Sequence, residues 1–222
     1  MGMTGVIVEA TLKLKPIAST SLKTLTYRVD AIEDMIAAFE QHRDSSDYMV
    51  GWIDHTAKGD DTGRGVFEAA GHINVDEGGE PLTDFTPKKS RINVPCHAPS
   101  FTLNRYSMAL YNRWRFKRYG FDRKSEIVNF DGFFHPLDAI GHWNRLYGRR
   151  GFFQYQCLLP ESPDAAAHLK RLLGILHQKK LFSFLAVIKY HREGKGMLTF
   201  SKQGYSLALD FPNTPAVRAL LP

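Results

Sequence analysis

The sequence predicts an α+β domain with a mainly antiparallel sheet and helices packed on one face. Three observations carry that prediction. About eight β-rich runs interleave with four or five helical patterns. The runs at 183–191, 197–201 and 205–211 follow one another across short turns, and hairpins force antiparallel pairing. Aromatic residues make up 12% of the 222 residues, with 15 Phe and 9 Tyr, a composition suited to strands around an apolar cavity.

The elements follow in order. Gly5 to Lys15 begins as a β-branched run and ends in apolar/polar alternation, which predicts a strand stopped by Pro16. Residues 22–29 predict a second strand. Asp30 and Glu33 read as a capping-box-like pair opening a helix whose face is Ile32, Met35, Ile36 and Phe39, ending near His42 or Arg43. Strands are predicted at Tyr48 to Asp54 and Val66 to Ile73. Residues 75–99 hold four of the 11 prolines (Pro81, Pro87, Pro95 and Pro99) and predict a long loop.

Ser100 to Gly120 fits two periods. Leu103, Tyr106, Leu110, Trp114 and Lys117 share a helical face, with Ser100 as N-cap and Gly120 past the end; this helix is preferred to a strand reading because the caps agree with the period. A short strand follows at Glu126 to Phe130. His135-Pro136-Leu137 leads into a predicted helix carrying Ile140, Trp143 and Tyr147, ended by Gly148. Phe152 to Leu159 is a strand. Ser162-Pro163-Asp164 starts a helix with the stripe Leu169, Leu172, Leu173 and Leu176. Thr214-Pro215 starts a last one. Both chain ends read as cuts through a longer protein. The expected division is 1–15 as the final strand of a neighbouring domain, 16–212 as the main domain, and 213–222 as the start of a helix.

Composition bounds the function. Hydrophobic residues at 43% and charged residues at 23% exclude wholesale disorder and low complexity. Two cysteines, Cys96 and Cys157, cannot build a disulfide framework. The longest uncharged apolar stretch, 181–188, falls far short of the roughly 20 residues of a membrane span, and no signal peptide is visible. A net charge of +6 suits a nucleic-acid, anionic-membrane or phosphorylated partner, or none. No metal-ligand spacing, nucleophile elbow, Walker loop or dinucleotide fingerprint occurs.

Three stretches carry candidate chemistry. Basic and aromatic residues interleave over 105–124, which reads either as a nucleic-acid or polyanion surface or as a helix with a solvated basic face. Gln154 and Gln156 share one face of their strand, where a pair of amides orients a polar ligand or meets solvent. Phe153 and Tyr155 then point into the packing between sheet and helices. Lys189 closes the apolar run 184–188, as a cation for phosphate or hydroxyl or as a snorkelling strand end.

Several of these segments resemble a known family. Gly2-Met3-Thr4-Gly5-Val6-Ile7-Val8-Glu9-Ala10-Thr11-Leu12 resembles the strand that closes the flavin domain of the vanillyl-alcohol-oxidase-like FAD enzymes. Phe134-His135-Pro136-Leu137-Asp138, Trp143-Asn144-Arg145-Leu146-Tyr147-Gly148 and Gly151-Phe152-Phe153-Gln154-Tyr155-Gln156 are similar to the flavoprotein oxidase subunit of the decaprenylphosphoryl-ribose 2'-epimerases. Ser183 to Lys189 and Asp210-Phe211-Pro212 continue the likeness. It implies a cap that covers substrate above an FAD, with the pyrophosphate loop upstream of Met1 and a returning segment beyond Pro222. This chain alone is then expected to be inactive and to bind no FAD tightly. The implied reaction is oxidation of a sugar-type secondary alcohol, such as a polyprenyl-phosphate-linked pentose, by hydride transfer to flavin. Ile7 is implied to meet FAD through its backbone. Lys189 is implied as the catalytic cation, and Trp52, Phe134, Arg145, Gln154, Gln156 and Ser206 as substrate-side residues. Phe134, Ser206 and Ala208 stand where the mycobacterial type has tyrosine, asparagine and cysteine. A short-chain reductase partner and a cytoplasmic place, peripheral to the membrane, are also implied, with no nucleic-acid partner, no metal and no transmembrane segment.

Overall fold

The structure is a computed structural model describing residues 5–82, 90, 92–99, 101–120, 122–194 and 199–220. Its elements are β1 (Ser21–Val29), α1 (Ile32–His42), β2 (Tyr48–Ile53), β3 (Gly65–His72), β4 (Ile92–Asn93), α2 (Arg105–Arg118), β5 (Lys124–Asn129), α3 (Phe130–Phe134), β6 (Ile140–Gly141), β7 (Phe152–Pro160), α4 (Ala165–Gln178), β8 (Leu185–His191), β9 (Gly204–Pro212) and α5 (Pro215–Arg218). Seven strands form one sheet in the order β5-β1-β3-β2-β8-β9-β7, with every pairing antiparallel. The α+β class with an antiparallel sheet is as the sequence predicts.

One face of the sheet is dry. Tyr27 and Val29 of β1, Ile53 of β2, Phe67 and Ala69 of β3, Ala186 and Ile188 of β8, and Tyr205, Leu207, Leu209 and Phe211 of β9 point to it. Helices α1 and α4 cover it with Ile32, Met35, Ile36 and Phe39 and with Leu169, Leu173 and Leu176, the two stripes expected from the helical period. Gly51 lies under α1, where a Cβ would come within 2.5 Å of Met35 Sδ; glycine lets the helix approach the sheet. The other face is open at its centre and carries α2 and α3 on its flanks.

Several boundaries differ from expectation. Asp30 does not cap α1: the N-cap is Ala31, and Glu33 reaches Lys170 of α4 at 2.9 Å instead of turning back. Residues 5–15 form no ladder with any described strand, and their apolar side chains, Ile7 at 85% among them, are exposed. A β-run without a neighbour leaves its N–H and C=O groups to water.

In α2 the cap is Asn104, which forms a capping box with Ser107; Ser100 lies outside the described residues. The helix is also turned the other way: Met108, Asn112 and Phe116 are buried, while Tyr106, Leu110 and Trp114 are exposed. The helix expected over 135–148 is broken into short 3₁₀ turns around β6, because His142 is left-handed at φ 57° and Ile140 pairs with Ile92. Of the strand expected at 197–201, residues 197 and 198 lie outside the described residues, and 199–201 are not in a strand. Thr214 caps α5 as expected, its Oγ1 accepting from Val217 N–H.

Phe153 takes the predicted side of β7, but β7 is the edge strand and the ring stays 38% exposed. Phe67, at the centre of the dry face, is fully buried. Phe67→Ala should therefore cost about 3–5 kcal/mol in denaturant unfolding, and Phe153→Ala clearly less. Equal losses would mean that β7 is covered more deeply than its edge position allows.

Candidate functional site

The open face is set by alternation. Where Phe67, Ile188 and Leu207 point to the core, their neighbours Glu68, Lys189, Ser206 and Ala208 point the other way. Three rows cross the strands there. Gln154 of β7 lies opposite Asp210 of β9, which lies opposite Leu185 of β8. Gln156 lies opposite Ala208, then Val187, then Trp52 of β2. Leu158 lies opposite Ser206, then Lys189.

Helix α2 closes one side. Asp54, fully buried just past β2, accepts from Arg64 Nε at 3.1 Å and Nη2 at 2.8 Å, from Thr56 N and Oγ1, and from Asn112 Nδ2 at 3.1 Å. Phe116 packs on Trp52 and Val66, with the guanidinium carbons of Arg28 and Arg64 at 4.6 and 4.7 Å from its ring centre. Arg115 then lies over the Trp52 ring at 4.5 Å. On the far side, Phe134 of α3 stands edge-on to Tyr48 at 4.8 Å, and Tyr48 Oη meets His72 Nε2 at 3.2 Å. Between these walls runs a trough of about 1750 Å³.

Trp52, Phe134 and Lys189 line the trough. Gln154, Gln156 and Ser206 share its sheet face on the two neighbouring strands, beyond the trough lining. Lys189 is exposed, with no hydrogen-bond or ion-pair partner among the described residues. Ser206 is buried and bonded to His191 Nε2 at 2.6 Å. Arg145 is not brought to this group: its Nη1 donates to the carbonyls of Val94 and Pro95, both at 2.9 Å, and so pins the 92–98 loop. Ile7 lies in the exposed leading segment.

Other residues of the site went unread in the sequence. Glu68 sits at the centre of the open face; burial raises its carboxyl above the usual range, Arg115 pulls it down, and Glu126 pushes it up again. Asp210 is buried, with Gln154 Nε2 donating to Oδ1 at 2.9 Å and no hydrogen-bond partner for Oδ2 among the described residues. Burial raises its carboxyl, and the Gln154 hydrogen bond opposes that. The buried hydroxyl of Tyr147 likewise has no hydrogen-bond partner among the described residues, and burial together with the Asp210 charge makes it harder to ionise. The available signal was an acid inside an apolar strand, at Val66-Phe67-Glu68-Ala69 and Leu207-Ala208-Leu209-Asp210. No cluster of three metal-ligating side chains occurs among the described residues.

The chain is 28% identical over 221 residues to the decaprenylphosphoryl-beta-D-ribose oxidase of Mycolicibacterium smegmatis, a match covering 95% of this chain and 46% of that protein. It is 25% identical over 225 residues to a Streptomyces coelicolor protein named "Uncharacterized protein in mprA 5'region", covering 96% of this chain and 59% of that one. The chain thus spans about half the length of the curated relatives it matches. No family model matches it.

Asp210 gives the site a pH signature. A carboxyl raised on folding favours the protonated folded state, so its contribution is full below the unfolded value of about 3.9 and is lost as pH rises through the folded one. Asp210→Asn keeps an acceptor for Gln154 and removes the ionisation. Its unfolding midpoint should gain on the parent's as pH rises above about 4. A difference that shrinks with pH would show the carboxylate to be stabilising.

Proposed function

We propose that this chain is the substrate-binding part of an FAD-linked oxidoreductase that oxidises a secondary alcohol on a sugar, of the kind carried by a polyprenyl phosphate. The observation that carries the reading is the open sheet face, which gathers Gln154, Gln156, Ser206, Lys189 and Trp52 around a low floor of Ala208 and Val187. The similarity to an oxidase of a decaprenylphosphoryl ribose supports the substrate class.

The fit to a flavin is partial and specific. Ala208 and Val187 leave room above the sheet for a flat ring, and the neighbouring amides offer both donors and acceptors to its edge. A pyrophosphate needs a cradle of backbone N–H groups at a helix N-terminus, and among the described residues no glycine-rich turn opens a helix that way. The residues here suit the ring side of FAD, not its phosphates. When bound, the flavin supplies the hydride acceptor.

The rest is binding and orientation. Lys189, with three donors and no partner among the described residues, takes a sugar or phosphate oxygen. Gln156 stands at the end of the row over the floor and holds a hydroxyl. Gln154, anchored to Asp210, turns its free carbonyl oxygen to a hydroxyl donor. Trp52, held under Arg115, forms the apolar wall. The ketone produced passes to a reductase of the short-chain class, the partner implied by the resemblance.

In the full-length, flavin-loaded protein, Lys189→Ala should lower turnover about ten- to a hundred-fold, the worth of one charge-assisted hydrogen bond that strengthens in the transition state. The unfolding midpoint should hold, because the side chain is exposed. Anaerobic flavin bleaching by a polyprenyl-phosphate pentose measures the reaction. Unchanged kinetics would return Lys189 to a solvated strand end, and no bleaching by any sugar alcohol would remove the proposed reaction.

A further inference from the structure

The apolar stripe that α2 turns outward packs against no other element among the described residues. Met108, Asn112 and Phe116 face the sheet, and the Asn112 bond to buried Asp54 fixes the helix rotation. Tyr106, Leu110 and Trp114 fall at i, i+4 and i+8 on the opposite side, with exposures of 69%, 72% and 56%. Phe101 is exposed in the turn that leads into the helix.

The charge around this stripe has one sign. Helix α2 holds Arg105, Arg113, Arg115, Lys117 and Arg118 and no acidic residue. Arg115 faces the trough. Arg113 and Lys117 are exposed beside the stripe, with no ion-pair partner among the described residues. Arg105 and Arg118 lie over the rings of Tyr106 and Trp114 at 4.4 and 5.6 Å.

We propose that the outward face of α2 docks on an anionic lipid surface, with Tyr106, Leu110 and Trp114 entering the headgroup region and the basic side chains meeting lipid phosphates. A helix that lies in a bilayer interface needs this combination: an aliphatic centre, amphipathic aromatics at the rim, and flanking cations. Nucleic acid would use the cations and the rings but gains nothing from Leu110 at the centre. A protein partner would need acids that match an unbroken basic rim.

The position adds a use. Tyr111, Arg115 and Arg118 on the flank of α2 also line the trough, so a surface held by the stripe lies beside the trough mouth. A lipid-linked substrate would reach Lys189 without leaving its membrane entirely. That use rests on the proposed function; the docking does not, and it is measured without substrate or flavin.

The test is co-flotation of the protein with vesicles of phosphatidylcholine alone and with about one-third phosphatidylglycerol, in low and high salt. Binding should require the anionic lipid and weaken with salt. Each basic side chain near such a surface is worth about five-fold, so Arg113→Gln with Lys117→Gln should lower partitioning roughly 25-fold. Leu110→Gln with Trp114→Gln should lower it at least tenfold without shifting the unfolding midpoint. Vesicles should blue-shift tryptophan emission, and Trp114→Tyr should abolish the shift. Binding that ignores lipid charge or survives the Leu110/Trp114 change overturns the proposal. So does self-association lost in that variant, or an oligonucleotide bound more tightly than vesicles. Vesicle failure beside intact sugar oxidation removes the docking and leaves the oxidoreductase; the reverse pair of results does the opposite.

Discussion

Phe39 of α1 meets Phe67 of β3 edge-on at 5.2 Å and Tyr205 of β9 at 5.9 Å, so elements far apart in sequence close on one point of the dry face. Everything on the wet face inherits its place from that packing. A slip of one residue in β3, β8 or β9 would turn Phe67, Ile188 or Leu207 to solvent and bury Glu68, Lys189 or Ser206. Each fully buried apolar side chain is worth roughly 1.5–3 kcal/mol, and each strand holds several, so no single polar contact competes with the register they impose. The site is accurate because the core beneath it is.

Helix α2 answers to a different constraint. By hydrophobic period alone, Leu110 and Trp114 belong inside. The helix instead buries Asn112, whose amide completes the shell around Asp54. A hydrogen bond to a charged group is worth about 1.5–3 kcal/mol, of the same order as what leaving one leucine exposed forgoes. Phe116, packed on Trp52 and Val66 between two guanidinium groups, adds to the same rotation. The buried carboxylate and the Phe116 contact together thus set which residues of α2 wall the trough and which ones face away from it.

What the sequence made legible follows from this division. Strands β1, β2, β3, β7, β8 and β9 and the stripes of α1 and α4 were readable, because their burial depends on local period and a single dry face. That Gln154 and Gln156 share one face of their strand was readable for the same reason. Arg145 was not, because its carbonyl partners lie 50 and 51 residues earlier. The rotation of α2 was hidden in the Asp54 shell, which joins residues 54, 56, 64 and 112. The 135–148 segment carries a helical period, but His142 takes a left-handed conformation and Ile140 finds a strand partner at Ile92. Residues 5–15 have the composition of a strand, yet composition does not supply the neighbour that a ladder requires.

The Asp210–Gln154 bond gives the wet face a direction. Gln154 gives one N–H of its amide to Oδ1 of Asp210, which holds the amide in place and leaves its oxygen and its second N–H for a ligand. Lys189, across β9 and two rows further along, offers only donors. The low surface of Ala208 and Val187 lies between an acceptor at the sheet edge and a donor toward its centre. A buried acid that need not touch a ligand thus fixes the amide at one end of the wet face.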